Sequence, residues 1–209
     1  MLENAAKARS EIAAVPLPPA AFLFVDIVGF TSFTEEHGDR EAAELAWRLR
    51  LGVERQLGDD AHVVKTLGDA VMVRMADPGQ AVEAAVRILE LALPEQEDPD
   101  VRIGVHCGPA IECEGDFFGA AVNTAARVAA LAAPGEILVT GEVAAAARKR
   151  EVSLSALGER TLRNVARPVE LHRVQPSPRG SDRFAVISTG VPARRRRPLM
   201  RRGPIHAGA

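Results

Sequence analysis

The order of apolar segments between residues 21 and 106 constrains the fold more than any other feature of this chain. Short apolar runs bounded by turn-forming residues predict buried strands, whereas apolar residues that repeat about every 3.6 positions predict amphipathic helices. These rules predict the order strand, helix, strand, strand, helix, strand for this segment. That order is typical of a split βαβ, ferredoxin-like core in the α+β class.

Predicted elements continue beyond this core, so we expect appended αβ units and an antiparallel or mixed central sheet flanked by helices. The predicted strands are Ala21–Val28, His62–Thr66, Ala70–Met75, Val101–His106, Ile137–Thr140 and two or three strands within 152–174. The predicted helices cover about 42–57, a segment beginning at Pro78, 119–132 and 142–148. Ile111–Cys113 is expected to pair with the strand at 101–106 through the turn Gly108-Pro109.

Length and composition exclude several classes of protein. The chain has 209 residues, which suits one domain with tails. The uncharged stretch Ile12 to Val25 has only 14 residues and contains three prolines, so it is too short and too broken to span a membrane. We find no signal-peptide pattern at the N-terminus. Two cysteines, Cys107 and Cys113, are too few for a disulfide framework, so a reducing, cytoplasmic location is expected.

The charge changes sign near residue 175. Residues 176–209 contain eight arginines and one acid, a net charge of +7, whereas residues 1–175 contain 18 basic and 27 acidic side chains, a net charge of −9. An acidic body is not typical of a nucleic-acid reader, so no specific nucleic acid is expected. The composition of the tail predicts disorder. Contact of its arginines with an anionic surface is one hypothesis, and a solvated tail without a specific partner is the other.

Asp26 is the first residue with a chemical signature, because it interrupts a run that is otherwise apolar. A buried carboxylate is costly without a cation, a metal or several N–H donors. A structural carboxylate that caps the next helix is the alternative. Asp69 lies at the predicted hairpin tip between 62–66 and 70–75, and in a split βαβ core this hairpin neighbours the first strand. The two carboxylates are therefore expected to converge, as in a magnesium site that binds nucleotide phosphates.

Other candidates are ambiguous when each is taken alone. The backbone N–H groups of Gly29-Phe30-Thr31 follow the first strand and lead into a helix, where they can face phosphate oxygens. Lys65, inside an apolar strand, is more often an edge residue than a ligand contact, and Asp116 follows Gly115 in a loop. Asn123 and Arg127 share one helix face by their spacing, which is more often simply the solvent face.

Taken together, these residues resemble a known family, the class III nucleotidyl cyclase catalytic domain. Five segments carry the resemblance, which spans about 21–175: Phe24-Val-Asp-Ile-Val-Gly-Phe-Thr31, Lys65-Thr-Leu-Gly-Asp69, Arg102-Ile-Gly-Val-His-Cys-Gly108, Asp116-Phe-Phe-Gly-Ala-Ala-Val-Asn123-Thr-Ala-Ala-Arg127 and the closing strands Leu157 to Val174. Any one motif is weak, whereas four in order with correct internal spacing are specific. We therefore divide the chain into a stub and linker (1–20), a catalytic domain (21–175) and the basic tail (176–209).

The resemblance implies a role for each candidate. It implies metal ligation by Asp26 and Asp69, base recognition by Lys65 and Asp116, and transition-state roles for Asn123 and Arg127. The implied cofactors are two Mg²⁺ or Mn²⁺ ions per site. The implied assembly is a homodimer in which one chain supplies Asp26 and Asp69 to each site, and its partner supplies Lys65, Asp116, Asn123 and Arg127. Segment 109–115 is shorter than the arm that helps many members to dimerise, so weak dimerisation is expected. Arg163 and Arg167 are candidates for holding the terminal phosphates.

The implied reaction converts ATP to 3′,5′-cyclic AMP and pyrophosphate. Adenine accepts a hydrogen bond at N1 and donates from its exocyclic amine, which suits the donor Lys65 and the acceptor Asp116, whereas guanine presents the opposite pair. ATP is therefore the expected substrate. The alternatives are a guanylate cyclase and a catalytically silent cyclase-like module that binds nucleotide or a regulatory partner.

Overall fold

The computed structural model of this protein describes residues 17–91, 98–148, 150 and 152–176. The strands are β1 (Ala20–Ile27), β2 (Ala61–Leu67), β3 (Ala70–Met75), β4 (Val101–Gly108), β5 (Ile111–Cys113), β6 (Asp116–Phe118), β7 (Ile137–Thr140), β8 (Val152–Arg160) and β9 (Val169–Pro176). The helices are α1 (Phe30–His37), α2 (Asp39–Arg55), α3 (Pro78–Leu91), α4 (Ala120–Leu131) and α5 (Gly141–Ala147). The predicted N-terminal stub up to residue 16 and the tail from 177 onward lie outside the described residues.

Seven of the strands form one mixed sheet with the order β2-β3-β1-β4-β7-β9-β8. The first four strands have the order of a ferredoxin-like core, which confirms the predicted fold class. β4 and β7 pair in parallel, whereas the other strand pairs of the described sheet are antiparallel. The predicted hairpin is present as β2 and β3, and β3 lies beside β1 as expected.

The alternation of side chains along β1 separates two cores. Odd-numbered residues such as Leu23 and Val25 pack against α2, α3 and α5 on one face of the sheet. Even-numbered residues such as Phe22 and Phe24 pack under α4 on the other face. Asp26 continues the even-numbered row, so its side chain belongs to the α4 face.

Two local predictions were wrong. We predicted that Ile111–Cys113 pairs with the strand at 101–106, but β5 pairs with β6 instead. Both edges of β4 are already occupied by β1 and β7, and the tight turn Glu114-Gly115, with φ of 52° and 79°, directs the chain into a separate hairpin. We also predicted one helix after the first strand, where the structure has α1 and α2. α1 has eight residues and only two apolar side chains, Phe30 and Phe33, which is too short a pattern to indicate a helix by periodicity.

The other predicted helices are confirmed within one or two residues at their ends. Asp77 caps α3, because its Oδ1 accepts hydrogen bonds from the backbone N–H groups of Gly79 at 2.6 Å and Gln80 at 3.1 Å. Pro78 occupies the first helical position, where its missing N–H costs nothing. No helix of the described residues is long and apolar enough to cross a membrane.

Contact between β4 and α4 requires a glycine at position 104. A Cβ atom there would lie 2.0 Å from the backbone nitrogen and 2.5 Å from the Cα of Ala129. Real Cβ atoms do not approach backbone so closely, so α4 can lie this near to the sheet only because Gly104 has no side chain.

We expect Gly104→Ala to lower the free energy of unfolding by about 3 kcal/mol, because the contacting backbone cannot move aside without displacing α4. Urea denaturation measures the effect. Gly58→Ala is the matched control, since a Cβ at position 58 meets no atom within 4 Å. Equal stability of the Gly104→Ala variant and the wild type would contradict the close packing described here.

Candidate active site

Asp26 and Asp69 lie at the same end of neighbouring strands. Asp26 is near the end of β1, paired in register with Ala70, and Asp69 occupies the turn just before β3. The backbone N–H of Ile27 donates to the carbonyl oxygen of Asp69 at 3.4 Å, which ties this turn to β1. The predicted convergence of the two carboxylates is therefore present in the structure.

The surroundings of Asp69 disfavour its negative charge. Burial raises the pKa of Asp69, a hydrogen bond from its own backbone N–H lowers it, and the nearby charge of Asp26 raises it again. Arg102 acts in the opposite direction, but the pKa of Asp69 remains above its ordinary value. Two half-buried carboxylates that repel each other form a place where a divalent cation is favourable.

Arg102 lies against Asp26. Its Nε and Nη2 atoms are 2.7 and 2.6 Å from Oδ2 of Asp26, and its Nη1 donates to the carbonyl oxygen of Ala130 at 3.2 Å. Arg102 belongs to the motif Arg102-Ile-Gly-Val-His-Cys-Gly108, but no role was predicted for it. The missed signal is a basic residue on a strand that the predicted fold places beside the strand of Asp26. Arg163 and Arg167, by contrast, are exposed in the loop between β8 and β9.

Lys65 and Asp116 form a second pair. Nζ of Lys65 is 2.6 Å from Oδ2 of Asp116, and each side chain is about 30% exposed, at 30% and 31%. Lys65 stands opposite Met72 in the β2–β3 register, and Met72 belongs to the apolar core beneath α4. The sequence suggested that Asp116 lies in a loop, but in the structure it is the first residue of β6. This pair therefore lies on the same face of the sheet as Asp26.

The hydrogen bonds around Asp116 stabilise its ionised form. Slight burial raises the pKa of Asp116, but the hydrogen bond from Lys65, the backbone N–H of Phe117 and the positive charge of Lys65 together hold it below its ordinary value. The N–H of Phe117 lies 2.7 Å from Oδ1. Asp116 is thus a preoriented acceptor beside a preoriented donor, the combination that the sequence predicts for base recognition.

Asn123 and Arg127 lie on the exposed face of α4. The buried residues Ala121, Ala125 and Ala129 occupy the opposite face, because 3.6 residues per turn place positions 123 and 127 on the far side of the helix. Both side chains therefore point away from the sheet that carries Asp26. Within one chain, the structure brings Asp26 close to Asp69 and Lys65 close to Asp116. Asn123 and Arg127 lie apart from both of these pairs.

Gly29 precedes α1 in a left-handed conformation, with φ 74° and ψ 22°. This conformation is costly for residues with a side chain and permits the abrupt change from strand to helix. No side chain caps α1. Its first N–H groups, including those of Phe30 and Thr31, have no acceptor within the helix, as at other helix N-termini. Phosphate binding by these groups stays a prediction.

A cavity of about 430 Å³ borders this site without containing it. It lies between α1, α2 and the turn after β2, and Phe30 and Gly68 are the residues it shares with the segments described above. No carboxylate of the candidate metal pair lines it. Asp26 and the Lys65–Asp116 pair instead lie on the face of the sheet that carries α4.

Comparison with known proteins identifies the family. The family model for the adenylate and guanylate cyclase catalytic domain matches residues 12–175. The chain belongs to this family. The pH-sensitive adenylate cyclase MT1302 of Mycobacterium tuberculosis (strain CDC 1551 / Oshkosh) is 35% identical over 183 residues, covering 84% of this chain and 46% of that protein. An adenylate cyclase of Streptomyces griseus is 34% identical over 122 residues, covering 58% of this chain and 31% of that protein.

Solved structures agree on the fold. The adenylyl cyclase CyaB of P. aeruginosa superposes with a TM-score of 0.68 at 20% identity, covering 78% of this chain and 96% of that one. The guanylyl cyclase Cya2 superposes with a TM-score of 0.66 at 21% identity, covering 78% and 94%. The chain spans less than half of the length of the two curated relatives described above, at 46% and 31%.

We expect Lys65→Met to raise the pKa of Asp116, measured by NMR titration of its carboxyl carbon, because the variant loses both the hydrogen bond and the charge. Since the folded-state pKa of Asp116 is lowered, its contribution to stability is present above the unfolded pKa and is lost as the pH falls through the folded pKa. The free energy of unfolding of the wild type should thus exceed that of Lys65→Met by at most about 1 kcal/mol at neutral pH. The difference should be smaller in acid or at high salt.

The control for this experiment is Arg40→Met, which breaks the exposed pair between Arg40 and Glu44. That pair has side chains 86% and 63% exposed, so its loss should change urea stability too little to measure. An unchanged pKa of Asp116 in Lys65→Met would show that Lys65 does not hold this carboxylate in solution.

Proposed function

We propose that this chain is an adenylate cyclase domain that converts ATP to 3′,5′-cyclic AMP and pyrophosphate at sites formed by two copies. The observation that carries the proposal is the contact between Lys65 and Asp116. It places one donor and one acceptor side by side, half-exposed, on the sheet face that also bears Asp26. The relatives named adenylate cyclase support the same substrate.

The Lys65–Asp116 pair favours adenine over guanine. Lysine only donates hydrogen bonds and ionised aspartate only accepts them, so Lys65 matches adenine N1 and Asp116 matches the exocyclic amine. Guanine would set its N1–H against the ammonium group and its carbonyl against the carboxylate. A mismatched hydrogen-bonding edge can lower kcat/KM by orders of magnitude.

Asp26 and Asp69 would hold the divalent ions. Among the residues that the structure describes, no three carboxylate, histidine or cysteine side chains are grouped to hold a metal by themselves. Mg²⁺ fits such a site, because it is commonly bound by one or two carboxylates together with the phosphates of the substrate. The bound ions would supply Lewis-acid activation of the 3′-hydroxyl and charge neutralisation of the triphosphate.

Phosphate binding is assigned to groups beside this pair. α1 begins at Phe30, three residues after the end of β1 that carries Asp26, so the N–H groups of Phe30 and Thr31 would be available to phosphate oxygens there. Arg102 carries a guanidinium fork of the kind that matches phosphate oxygens, and a divalent ion bound to Asp26 would release this fork from its ion pair with that carboxylate. We assign the terminal phosphates to Arg102 rather than to Arg163 or Arg167, because Arg102 alone among these three contacts Asp26.

The reaction itself needs no protein nucleophile. The ribose 3′-oxygen attacks the α-phosphorus, the bond between that phosphorus and the bridging oxygen breaks, and the 3′-hydroxyl proton is lost to solvent. Arg127 of a second copy would stabilise charge that develops on the α-phosphate and the leaving oxygen, and Asn123 would orient the ribose. This arrangement accounts for the exposure of both side chains in the single chain.

Incubation of the purified chain with ATP or GTP and Mg²⁺ or Mn²⁺ tests the proposal, with cyclic nucleotide and pyrophosphate as readouts. We expect cyclic AMP and pyrophosphate in equal amounts. Asp26→Asn should abolish turnover, because a neutral amide cannot replace the carboxylate ligand. Circular dichroism should show that this variant remains folded. Near-normal activity of Asp26→Asn would remove Asp26 from the metal site, and preferential formation of cyclic GMP would identify a guanylate cyclase.

Mixing two inactive variants tests whether the sites are shared. Asp26→Ala and Arg127→Ala should each be inactive alone, because every site in either homodimer lacks one residue. After equal mixing and exchange, half of the dimers are mixed, and each mixed dimer has one intact site. Activity should therefore recover to about 25% of the wild-type value if both variants dimerise like the wild type and the sites act independently.

The assay requires high protein concentration, because the segment between β4 and β6 is short. Native mass spectrometry of a size-tagged variant establishes that subunits have exchanged. If they exchange and no activity returns, all six residues act within one chain and the shared-site proposal is wrong.

A further inference from the structure

We propose that Phe118 is a positioning and specificity-determining residue that fixes the ammonium group of Lys65 for base recognition. The inference rests on the proposed function, since it names a residue that sharpens the choice of base. It begins from an unusual observation. Phe118 is a large apolar side chain that is 52% exposed, yet the Lys65 ammonium lies 5.5 Å from the centre of its ring.

The alternation of β6 places Asp116 and Phe118 on the same side. Asp116 is partly exposed, Phe117 is buried and Phe118 is exposed, as expected for three consecutive strand residues. Phe117 anchors the strand, because its ring packs against Phe22 with centroids 5.8 Å apart. Lys65 reaches across from β2 and meets both outward-facing residues, the carboxylate at 2.6 Å and the aromatic ring at 5.5 Å.

These two contacts fix the orientation of the ammonium group. A lysine ammonium has three N–H donors on a flexible stem, and an exposed ion pair alone holds it weakly. Asp116 takes one donor, and the face of the Phe118 ring attracts the positive charge from a second direction. The third donor is then directed away from both groups, where it can meet the N1 acceptor of adenine.

Asp116 is fixed by the same strand. Its Oδ1 accepts the N–H of Phe117 at 2.7 Å, while its Oδ2 accepts from Lys65. A carboxylate can accept further hydrogen bonds, so one position remains for the exocyclic amine of adenine. The β6 strand therefore orients both members of the base-reading pair, Asp116 through the backbone at 117 and Lys65 through the ring at 118.

An exposed aromatic residue on a short hairpin has another possible role, namely packing against a second copy of the chain. Ile111 is paired with Phe118 in the β5–β6 register and is also exposed, at 41%. The structure places the ring of Phe118 against the ammonium group of Lys65, and Ile111, being aliphatic, has no ring for such a contact. Ile111 therefore provides a matched control for any effect on dimerisation.

Three variants of the full chain separate these roles. Phe118→Leu removes the ring but keeps apolar bulk, Phe118→Trp restores a ring, and Ile111→Ala removes more apolar surface from the same hairpin. We measure kcat/KM for ATP and for GTP, together with dimerisation by analytical ultracentrifugation at the assay concentration. Phe118→Leu should lower kcat/KM for ATP about two- to fivefold, the range expected for a partly exposed cation–π contact.

The ratio of the two specificity constants distinguishes positioning from packing. Without the ring, the Lys65 ammonium group is held less firmly, so its hydrogen bond to adenine weakens and its clash with the guanine N1–H is relieved. The ratio of kcat/KM for ATP to kcat/KM for GTP should therefore fall in Phe118→Leu. It should remain near the wild-type value in Phe118→Trp. Any change that Ile111→Ala makes in kcat/KM should be equal for ATP and GTP, so the preference for ATP should stay unchanged.

A second readout tests the contact without any nucleotide. The chain contains only three lysines, Lys7, Lys65 and Lys149, so labelled lysine gives few NMR signals. Lys65→Met identifies the Lys65 signal by its loss. The ε-methylene protons of Lys65 should be shifted upfield by the ring current in the wild type and in Phe118→Trp, and should return toward the free-lysine position in Phe118→Leu.

Several results would overturn the inference. An unchanged nucleotide preference in an active Phe118→Leu variant, or an unshifted Lys65 signal in the wild type, removes Phe118 from base recognition while leaving the proposed function intact. If Phe118→Leu and Ile111→Ala both dimerise more weakly, and each lowers kcat/KM equally for ATP and GTP, the hairpin is a dimer contact only. A wild-type chain that converts neither nucleotide overturns the proposed function and this inference with it.

Discussion

The ion pair between Asp26 and Arg102 is the interaction on which the arrangement of the site depends. Asp26 is a largely buried carboxylate near the end of the central strand β1, with 18% of its side chain exposed. Such a group would destabilise the sheet without a cation. Arg102 supplies the cation from the neighbouring strand and also binds the carbonyl of Ala130 near the end of α4. One guanidinium thus joins the carboxylate pair to the helix that carries Asn123 and Arg127.

The candidate site is divided among elements that share one sheet face. β1 and the turn before β3 supply the carboxylates, β2 and β6 supply Lys65 and Asp116, and α4 supplies an exposed polar face. Strand register and side-chain alternation fix the sheet face on which Asp26 and Lys65 lie, and the β5–β6 hairpin places Asp116 beside Lys65. The third group, Asn123 and Arg127, lies on the exposed face of α4.

Much of the fold and part of the candidate site could be predicted from the sequence. Apolar periodicity predicted the ferredoxin-like core, and Asp26 was recognisable because a carboxylate interrupts an apolar strand. Periodicity failed at α1, which has only two apolar side chains, and at β5, where pairing depends on which edge of β4 is free. Arg102 could have been found by asking which cation balances Asp26. Phe118 could not, because an aromatic residue on a strand normally indicates core packing.

The sequence by itself determined the order of the elements and the faces of the central sheet, because these follow from local periodicity. It pointed to Asp26 and Asp69 by residue type, whereas Lys65, Asp116, Asn123 and Arg127 were identified only by the resemblance of their motifs to a known family. The tertiary structure decided which residues meet. Lys65 and Asp116 are 51 positions apart in the chain, and Asp26 and Arg102 are 76 apart. Such contacts depend on strand order and register, which arise from the packing of the whole sheet rather than from any one segment.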